Sequence, residues 1–417
     1  MTKKILMVVL DGLSGYPGES ALKKAKKPSL NSLVKKSKSG IMETVPGAAP
    51  ESDSAVLSLL GYDPFKYYTG RGPLEAAGVG VEVKKGELSV RCNFATTSDG
   101  KKIIDRRVAR SLTSAESKML ERIINAKVKL TDAEFIFKAT SQHRGVLIIK
   151  SKKKLSPEIT NTDPAYKKGK NGVSVALPKF KMEVQKAVPL KKDKASEFTA
   201  KLINEFTKKA YEALNNSTVN KHRKANKKLP ANLILCRDYG IKKPELFNIS
   251  KKYKMKWAVL ADMPLEKGIG KLAGMDVIEL SEPTFGKKDY KERLRKVMKA
   301  LQEYDSLYIH IKGPDLFGHD GDFTGKKKSI EDIDSNFIKP LIEKLDFKEV
   351  VLAVTADHST PCQLKAHSKD PVPLLIYTEG IKPDKVEKFD VESLKKGSLK
   401  LKGKQLVPKL VKIAQGK

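Results

Sequence analysis

Residues 350–358 read VVLAVTADH. A short apolar run without alternation marks a strand buried on both faces, and this one ends in an aspartate and a histidine. The pattern occurs twice more. ILMVVLDG (5–12) runs into Asp11, and SLYIHIKGPDLFGH (306–319) runs into Asp315 and His319. Between SLYIHI and VVLAV, Ile330, Ile333, Phe337, Leu341 and Leu345 recur at helical spacing. Strand, crossover helix and strand predict an α/β fold with a parallel sheet. Leu233–Leu235 and its neighbours are a fourth candidate for that sheet.

Ligands at the carboxyl ends of parallel strands converge on one edge of the sheet. Asp11, Asp315, His319, Asp357 and His358 all lie at such ends, with His367 nine residues beyond His358. Of six histidines in the chain, His319, His358 and His367 follow these strands. Carboxylate and neutral imidazole together suit divalent ions, and three such coincidences point to a two-metal site. Two-metal sites commonly serve phosphoryl chemistry, and a serine ligated to one ion becomes a competent nucleophile. APESDSAVLSLLGYDP (49–64) offers Ser52, Ser54 and Ser58 for that role, or a helix cap.

The middle of the chain is different. Between about 85 and 250, alternating strands (GELSVRCNF, EFIFKAT, GVLIIK) accompany a lysine-rich helix near 196–214 and a polar loop over 215–230. The Gly-rich TGRGPLEAAGVGV marks the passage out of the first unit. The expected layout is a discontinuous domain, 1–80 and 251–417, with a second domain inserted over 81–250.

The 417 residues carry 82 Lys and Arg against 49 Asp and Glu, a formal +33. The excess is lysine spread in clusters such as 152–154 and 326–328, without aromatic interleaving, so it reads as a solvated surface rather than a nucleic-acid interface. It favours small anionic substrates. No apolar run reaches membrane-spanning length, so no membrane partner is expected, and the N-terminal run reads as a strand rather than a signal peptide. Three scattered cysteines, Cys92, Cys236 and Cys362, fit a reduced cytoplasmic compartment. The oligomeric state has no signature in the sequence.

VVLDG, PESDSAVLSLLGYDPFKYYTGRGPLEAAGVG, HIKGPDLFGHDGD and TADHSTPCQLKAHSKDPVPLLI together resemble the archaeal type of cofactor-independent phosphoglycerate mutase, in the alkaline phosphatase superfamily. RCNFAT, DRRVAR, QHRGVLI and NTDP extend the likeness into the middle of the chain. The resemblance implies an alkaline-phosphatase-like three-layer α/β domain with a smaller inserted α/β (α+β) transferase domain. It implies that Asp11, Ser52, Asp357 and His358 hold one ion and that Asp315, His319 and His367 hold the other. The ions would be Mn²⁺, Mg²⁺, Co²⁺ or Zn²⁺. Ser52 matches the family nucleophile, which takes the phosphoryl group of 3-phosphoglycerate and returns it as 2-phosphoglycerate, without 2,3-bisphosphoglycerate.

The inserted domain would hold the anionic substrate through Arg106, Arg107, Arg110, His143, Arg144 and Arg237, since guanidinium pairs two-pronged with carboxylate and phosphate. Lys267 resembles a family lysine near the transferred group, with Lys312 as the alternative. His222 and His310 receive no role. Glu51 and Val56 stand where archaeal members often have Gly and His, which bears on substrate preference. A metal-dependent phosphatase or another phosphomutase of the superfamily is the alternative activity, and a basic nucleic-acid binder is the alternative class.

Overall fold

The computed structural model describes residues 2–14, 20–169, 174–177, 179–284 and 286–417. The strands in chain order are β1 (Lys4–Leu10), β2 (Lys38–Glu43), β3 (Leu88–Thr97), β4 (Ile103–Asp105), β5 (Glu134–Ala139), β6 (Arg144–Lys150), β7 (Tyr166–Lys168) and β8 (Ser174–Ala176). They continue with β9 (Leu233–Gly240), β10 (Trp257–Leu260), β11 (Asp276–Val277), β12 (Ser306–Ile311), β13 (Val350–Thr355), β14 (Val372–Tyr377) and β15 (Leu399–Lys402). Two compact units result. The first is Met1–Tyr67, Leu246–Asp262 and Ile269–Lys417, and the second is Tyr68–Glu245 with Met263–Gly268.

The first unit is built on an eight-stranded mixed sheet, ordered β11-β10-β12-β1-β13-β14-β2-β15. β1 pairs in parallel with β12 on one side and β13 on the other, with Leu10 opposite Ile311 and Val9 opposite Thr355. The continuous apolar reading of these three strands is correct: β12 and β13 bury every residue, and β1 all but its first. Both faces of this part of the sheet are therefore covered, as a parallel sheet requires. Parallel alignment also brings the loops after the three strands to one edge, which places the candidate ligands together. The predicted helix over 330–345 begins earlier and is interrupted: Phe323–Ile333 and Lys339–Lys344 are joined by a π-helical turn, Asp334–Ile338.

The second unit holds a five-stranded antiparallel sheet, β4-β3-β6-β5 with β9 also on β3. Leu233–Leu235 belongs here, antiparallel to β3, and not to the parallel sheet. A short apolar run does not encode its partner, so the sequence alone could not separate the two sheets. β3 is buried along its whole length rather than alternating. One reason lies in TGRGPLEAAGVGV: Arg71–Gly78 is a helix, and it packs so close to β3 that a Cβ on Gly72 would lie 2.4 Å from the Ser89 carbonyl oxygen. This contact puts residues 68–80 in the second unit.

Behind the sheet runs the helix Lys194–Asn215, started by Asp193, which accepts from the Ser196 amide at 2.8 Å. Its buried Leu202, Ile203, Phe206, Ala210 and Leu214 share a core with Val90, Cys92, Phe94 and Phe137. The tract expected as a loop over 215–230 contains a helix, Thr218–Ala225, capped by Ser217. Cys92 and Cys236 face each other across β3 and β9 with sulfurs 3.7 Å apart, as free thiols. Among the described residues no helix is long and apolar enough to cross a membrane.

Candidate active site

In the first unit, Asp11 follows β1 and is fully buried, as are Asp357 and His358 after β13. The turn after Asp11 depends on Gly12, whose φ is +59° and whose missing Cβ leaves room for Asp315, 2.7 Å from where that atom would be. The Gly12 and His358 amides both donate to Asp357 Oδ1, at 3.1 and 2.9 Å. That fixes the carboxylate and leaves Oδ2 facing inward, 3.2 Å from His358 Nε2. Nε2 of His358 is also 3.4 Å from Asp11 Oδ1 and 3.2 Å from the hydroxyl of Ser52.

Ser52 is the first residue of the helix Ser52–Leu59, with Glu51 at the cap position and every residue of the helix buried. The other two serines are engaged elsewhere: Ser54 donates to the Glu51 carbonyl at 3.1 Å and Ser58 to the Thr44 carbonyl.

Three imidazoles converge with their Nδ1 atoms already occupied. His367 Nδ1 is 2.7 Å from the Pro50 carbonyl, and His319 Nδ1 is 3.1 Å from the Lys365 carbonyl. His358 Nδ1 meets the Thr360 hydroxyl at 3.1 Å. An Nδ1–H spent on a backbone carbonyl leaves Nε2 as the lone-pair nitrogen, the arrangement that metal-ligating histidines adopt. Nε2 of His319 and of His367 each lie 3.5 Å from Asp315 Oδ1 and 3.2 Å from one another.

Burial and the neighbouring carboxylates pull the imidazoles of the cluster in opposite directions. Burial pulls the His358 imidazole down to about 3 against the pull of Asp357. Burial acts the same way on His367, but Glu51 (3.7 Å from Nδ1) and Asp315 outweigh it and hold that imidazole up at about 9. Asp11 Oδ1 and Asp357 Oδ2 are buried without a hydrogen-bond partner among the described residues. Asp11 Oδ2 is paired with the Lys312 ammonium and lies 3.3 Å from His310 Nε2.

Within the first unit, Asp11 with Asp357 and His358, and Asp315 with His358 and His367, satisfy the spacing of a metal ion. Orphaned carboxylate oxygens facing imidazole nitrogens are the donor set a divalent cation completes, so the residues fit such ions. His310, given no role from sequence, proves to abut Asp11, its Nδ1 held by the Tyr308 hydroxyl at 2.9 Å. Its position in an apolar strand concealed it.

In the second unit, the structure gathers arginines around Glu75. Arg71 donates to Glu75 Oε1 at 2.7 Å, and Arg91 Nε is 3.4 Å from the same oxygen. Neither arginine was singled out from sequence; the signal was a charged residue inside the apolar LSVRCNF run and an Arg–Glu pair four apart in a Gly-rich segment. Burial pulls the Arg91 guanidinium down to about 9, with Arg237 and Arg71 adding to the effect. Burial brings Arg144 to about 10, opposed by Glu75, while Arg107, Arg71 and Arg110 push it further down. His143 is buried, and its Nδ1 has no hydrogen-bond partner among the described residues. One buried carboxylate facing so many guanidinium groups leaves a surplus of positive charge that an anion would neutralise.

Arg106 and Arg237 are arranged differently. Arg106 is committed to Asp163 through two hydrogen bonds of 2.8 Å. Arg237 stacks 3.7 Å from the centre of the Tyr166 ring and pairs with Asp238 at 2.6 Å. Arg107 and Arg110 flank a strained turn in which Val108, Ala109 and Arg110 all have φ near +50° (54°, 48° and 53°). Asp105 Oδ1 holds that turn by accepting from the Arg107 and Ala109 amides at 2.7 and 2.9 Å. Lys267 is half-buried in the helix Pro264–Leu272, within the stretch that groups with the second unit.

Residues 34–220 match the family described as 2,3-bisphosphoglycerate-independent phosphoglycerate mutase. The chain is 41% identical to the protein of that name from Aeropyrum pernix, over 99% of this chain and 100% of the relative. It is 38% identical to mutase 1 of the same name from Archaeoglobus fulgidus, over 97% and 96%. Among solved structures, it superposes on the cofactor-independent phosphoglycerate mutase of Thermoplasma acidophilum with a TM-score of 0.61 and 31% identity, covering 99% of this chain and 100% of the other. A Pyrococcus horikoshii protein gives a TM-score of 0.78 at 28% identity, covering 100% and 98%. Identity at this level over whole chains is shared ancestry rather than a shared fold alone, and the chain belongs to the 2,3-bisphosphoglycerate-independent phosphoglycerate mutase family, as an isomerase.

Proposed function

We propose that this chain interconverts 3-phosphoglycerate and 2-phosphoglycerate by passing the phosphoryl group through Ser52. The observation that carries the reading is the Ser52 hydroxyl, buried at the start of a helix and 3.2 Å from His358 Nε2, beside orphaned carboxylate oxygens. Asp11, Ser52, Asp357 and His358 would hold one divalent ion, and Asp315, His319 and His367 the other. Such ions, when bound, lower the pKa of a ligated hydroxyl and neutralise the phosphoryl oxygens.

The chain's own residues account for the rest. Ser52 Oγ attacks phosphorus as the bond to the 3-oxygen breaks, and the departing oxygen takes up a proton. The partial positive charge of the helix N-terminus favours a phosphate there. Arginines of the second unit would keep the glycerate by its carboxylate while it turns, and would exclude the water that hydrolyses phosphoserine. Arg107, Arg110, Arg144, Arg237 and His143 are assigned to that task, joined by Arg71 and Arg91. Arg106, bound to Asp163, would position the pocket. Lys267 and Lys312 are the candidates for balancing charge on the transferred group. The 2-hydroxyl then attacks phosphorus, loses its proton and releases Ser52. Donor and acceptor are one molecule, so 2,3-bisphosphoglycerate has no place in the cycle.

Residues 1–67 and most of 246–417 thus form the metal-bearing domain, and 68–245 the transferase domain. The substrate places the enzyme in glycolysis and gluconeogenesis, in the cytoplasm. The test compares 2-phosphoglycerate formation with free phosphate release from 3-phosphoglycerate in the presence of Mn²⁺. Mutase product in large excess supports the reading; dominant phosphate release makes the protein a phosphatase.

A further inference from the structure

Lys326 belongs to a run of three lysines, yet it is 1% exposed, on the helix Phe323–Ile333. Four and seven residues on, Ile330 and Ile333 are buried on the same face. Its ammonium donates to three backbone carbonyls: Gly12 at 2.7 Å, Ser14 at 3.1 Å and Thr360 at 2.6 Å. An ammonium has three protons and no acceptor, so this set of oxygens satisfies it completely. None of the three is a carboxylate, so this is no ion pair.

Those carbonyls come from the two loops that carry the candidate ligands after β1 and β13. Gly12 and Ser14 follow Asp11, and Thr360 follows Asp357 and His358. Among the described residues the loops are also tied by the Gly12 amide to Asp357 at 3.1 Å, the Thr360 amide to the Ser14 carbonyl at 3.1 Å, His358 Nε2 to Asp11 Oδ1 at 3.4 Å, and bridges from Leu13 and Ser14 to Ser359. The ammonium gathers carbonyl oxygens as a structural cation would, and it has no counter-charge among its partners. Burying it is costly unless its hydrogen bonds are kept. Any slip of one loop against the other would break one of those bonds.

We propose that Lys326 is a positioning residue, an internal cation that sets the spacing of Asp11 from Asp357 and His358 and thereby the affinity for divalent metal. This rests on the metal-binding reading above. The test is calorimetric titration of the full-length, metal-stripped protein with Mn²⁺, alongside thermal unfolding. Four proteins are compared: wild type, Lys326→Met, Lys326→Gln and Ile330→Ala, the last truncating a buried apolar side chain on the same helix while keeping the ammonium. The expected result is Mn²⁺ binding about 10–100-fold weaker in Lys326→Met, as for removal of groups that orient ligands. Lys326→Gln, which keeps a donor and serves if the Met variant does not fold, loses less. Ile330→Ala lowers the melting temperature with unchanged Mn²⁺ affinity. Lysine variants that bind Mn²⁺ like wild type, or lose no more affinity than Ile330→Ala, overturn the role of Lys326 and leave the metal-site reading standing. A wild type that binds no Mn²⁺ overturns both.

Discussion

The Thr360 hydroxyl donates to Asp315 Oδ1 at 2.8 Å and stands 3.1 Å from His358 Nδ1, joining the two candidate ligand groups through one oxygen. A hydroxyl that gives its proton to Asp315 must accept from His358, which fixes Nδ1–H and leaves Nε2 as the lone-pair nitrogen. Thr360→Val keeps the shape and removes both bonds. We expect Mn²⁺ affinity to fall about 10–100-fold, measured by calorimetry, with Thr360→Ser close to wild type. Equal affinity in the Val variant would show that packing alone orients the imidazole.

Glu75 is held ionised against burial by Arg91 and Arg71. Glu75→Gln leaves those guanidinium groups buried without their counter-charge, at a cost of about 3–5 kcal/mol. Inorganic phosphate should restore part of the loss, and more in the variant than in wild type, because it supplies the missing negative charge. Denaturant unfolding with and without phosphate reads both effects.

Ala109 is exposed and adopts φ 48°, ψ 26° in the turn between Arg107 and Ser111. Left-handed backbone costs an L-residue about 1–2 kcal/mol, of which glycine's extra unfolded-state freedom recovers only part. Ala109→Gly is therefore expected to stabilise the protein by about 1 kcal/mol, read as a higher denaturant midpoint at unchanged m-value.

His143 is held well below its ordinary 6.5 by burial first, then by Arg144, Arg107, Arg91 and Arg110. The folded state keeps it neutral while the unfolded chain protonates below about 6.5, so the unfolded state binds more protons there. Its stabilising contribution is full above that pH and is lost as pH falls, by up to about 1.4 kcal/mol per pH unit. His143→Gln should flatten the stability profile between about pH 6.5 and 5 and leave it unchanged above pH 7. Parallel profiles for the two proteins would contradict this.

What could be read from the sequence follows physical lines. Asp11, Asp315, Asp357 and His358 were legible because strands buried on both faces announce themselves as unbroken apolar runs, and parallel pairing sends their ends to one edge. That Ser52, rather than Ser54 or Ser58, stands beside His358 was not legible that way; only resemblance singled it out. The sheet that takes Leu233–Leu235 was not legible either, because a strand's sequence does not name its neighbour. Lysine clusters were read as solvated, which fails at Lys326, although its spacing to Ile330 and Ile333 carried the signal. The pairing of Glu75 with Arg91 depends on a helix packed over β3 by way of Gly72, a long-range contact that no local pattern encodes.

In the proposed reaction Ser52 carries the phosphoryl group. Its most direct test is peptide mass spectrometry of protein quenched in acid after brief incubation with 3-phosphoglycerate and Mn²⁺. The expected result is one added phosphate on the peptide containing Ser52 in wild type and none in Ser52→Ala, whose mutase rate falls about 10⁴-fold or more. An unmodified Ser52 peptide, together with a Ser52→Ala variant as active as wild type, would contradict it.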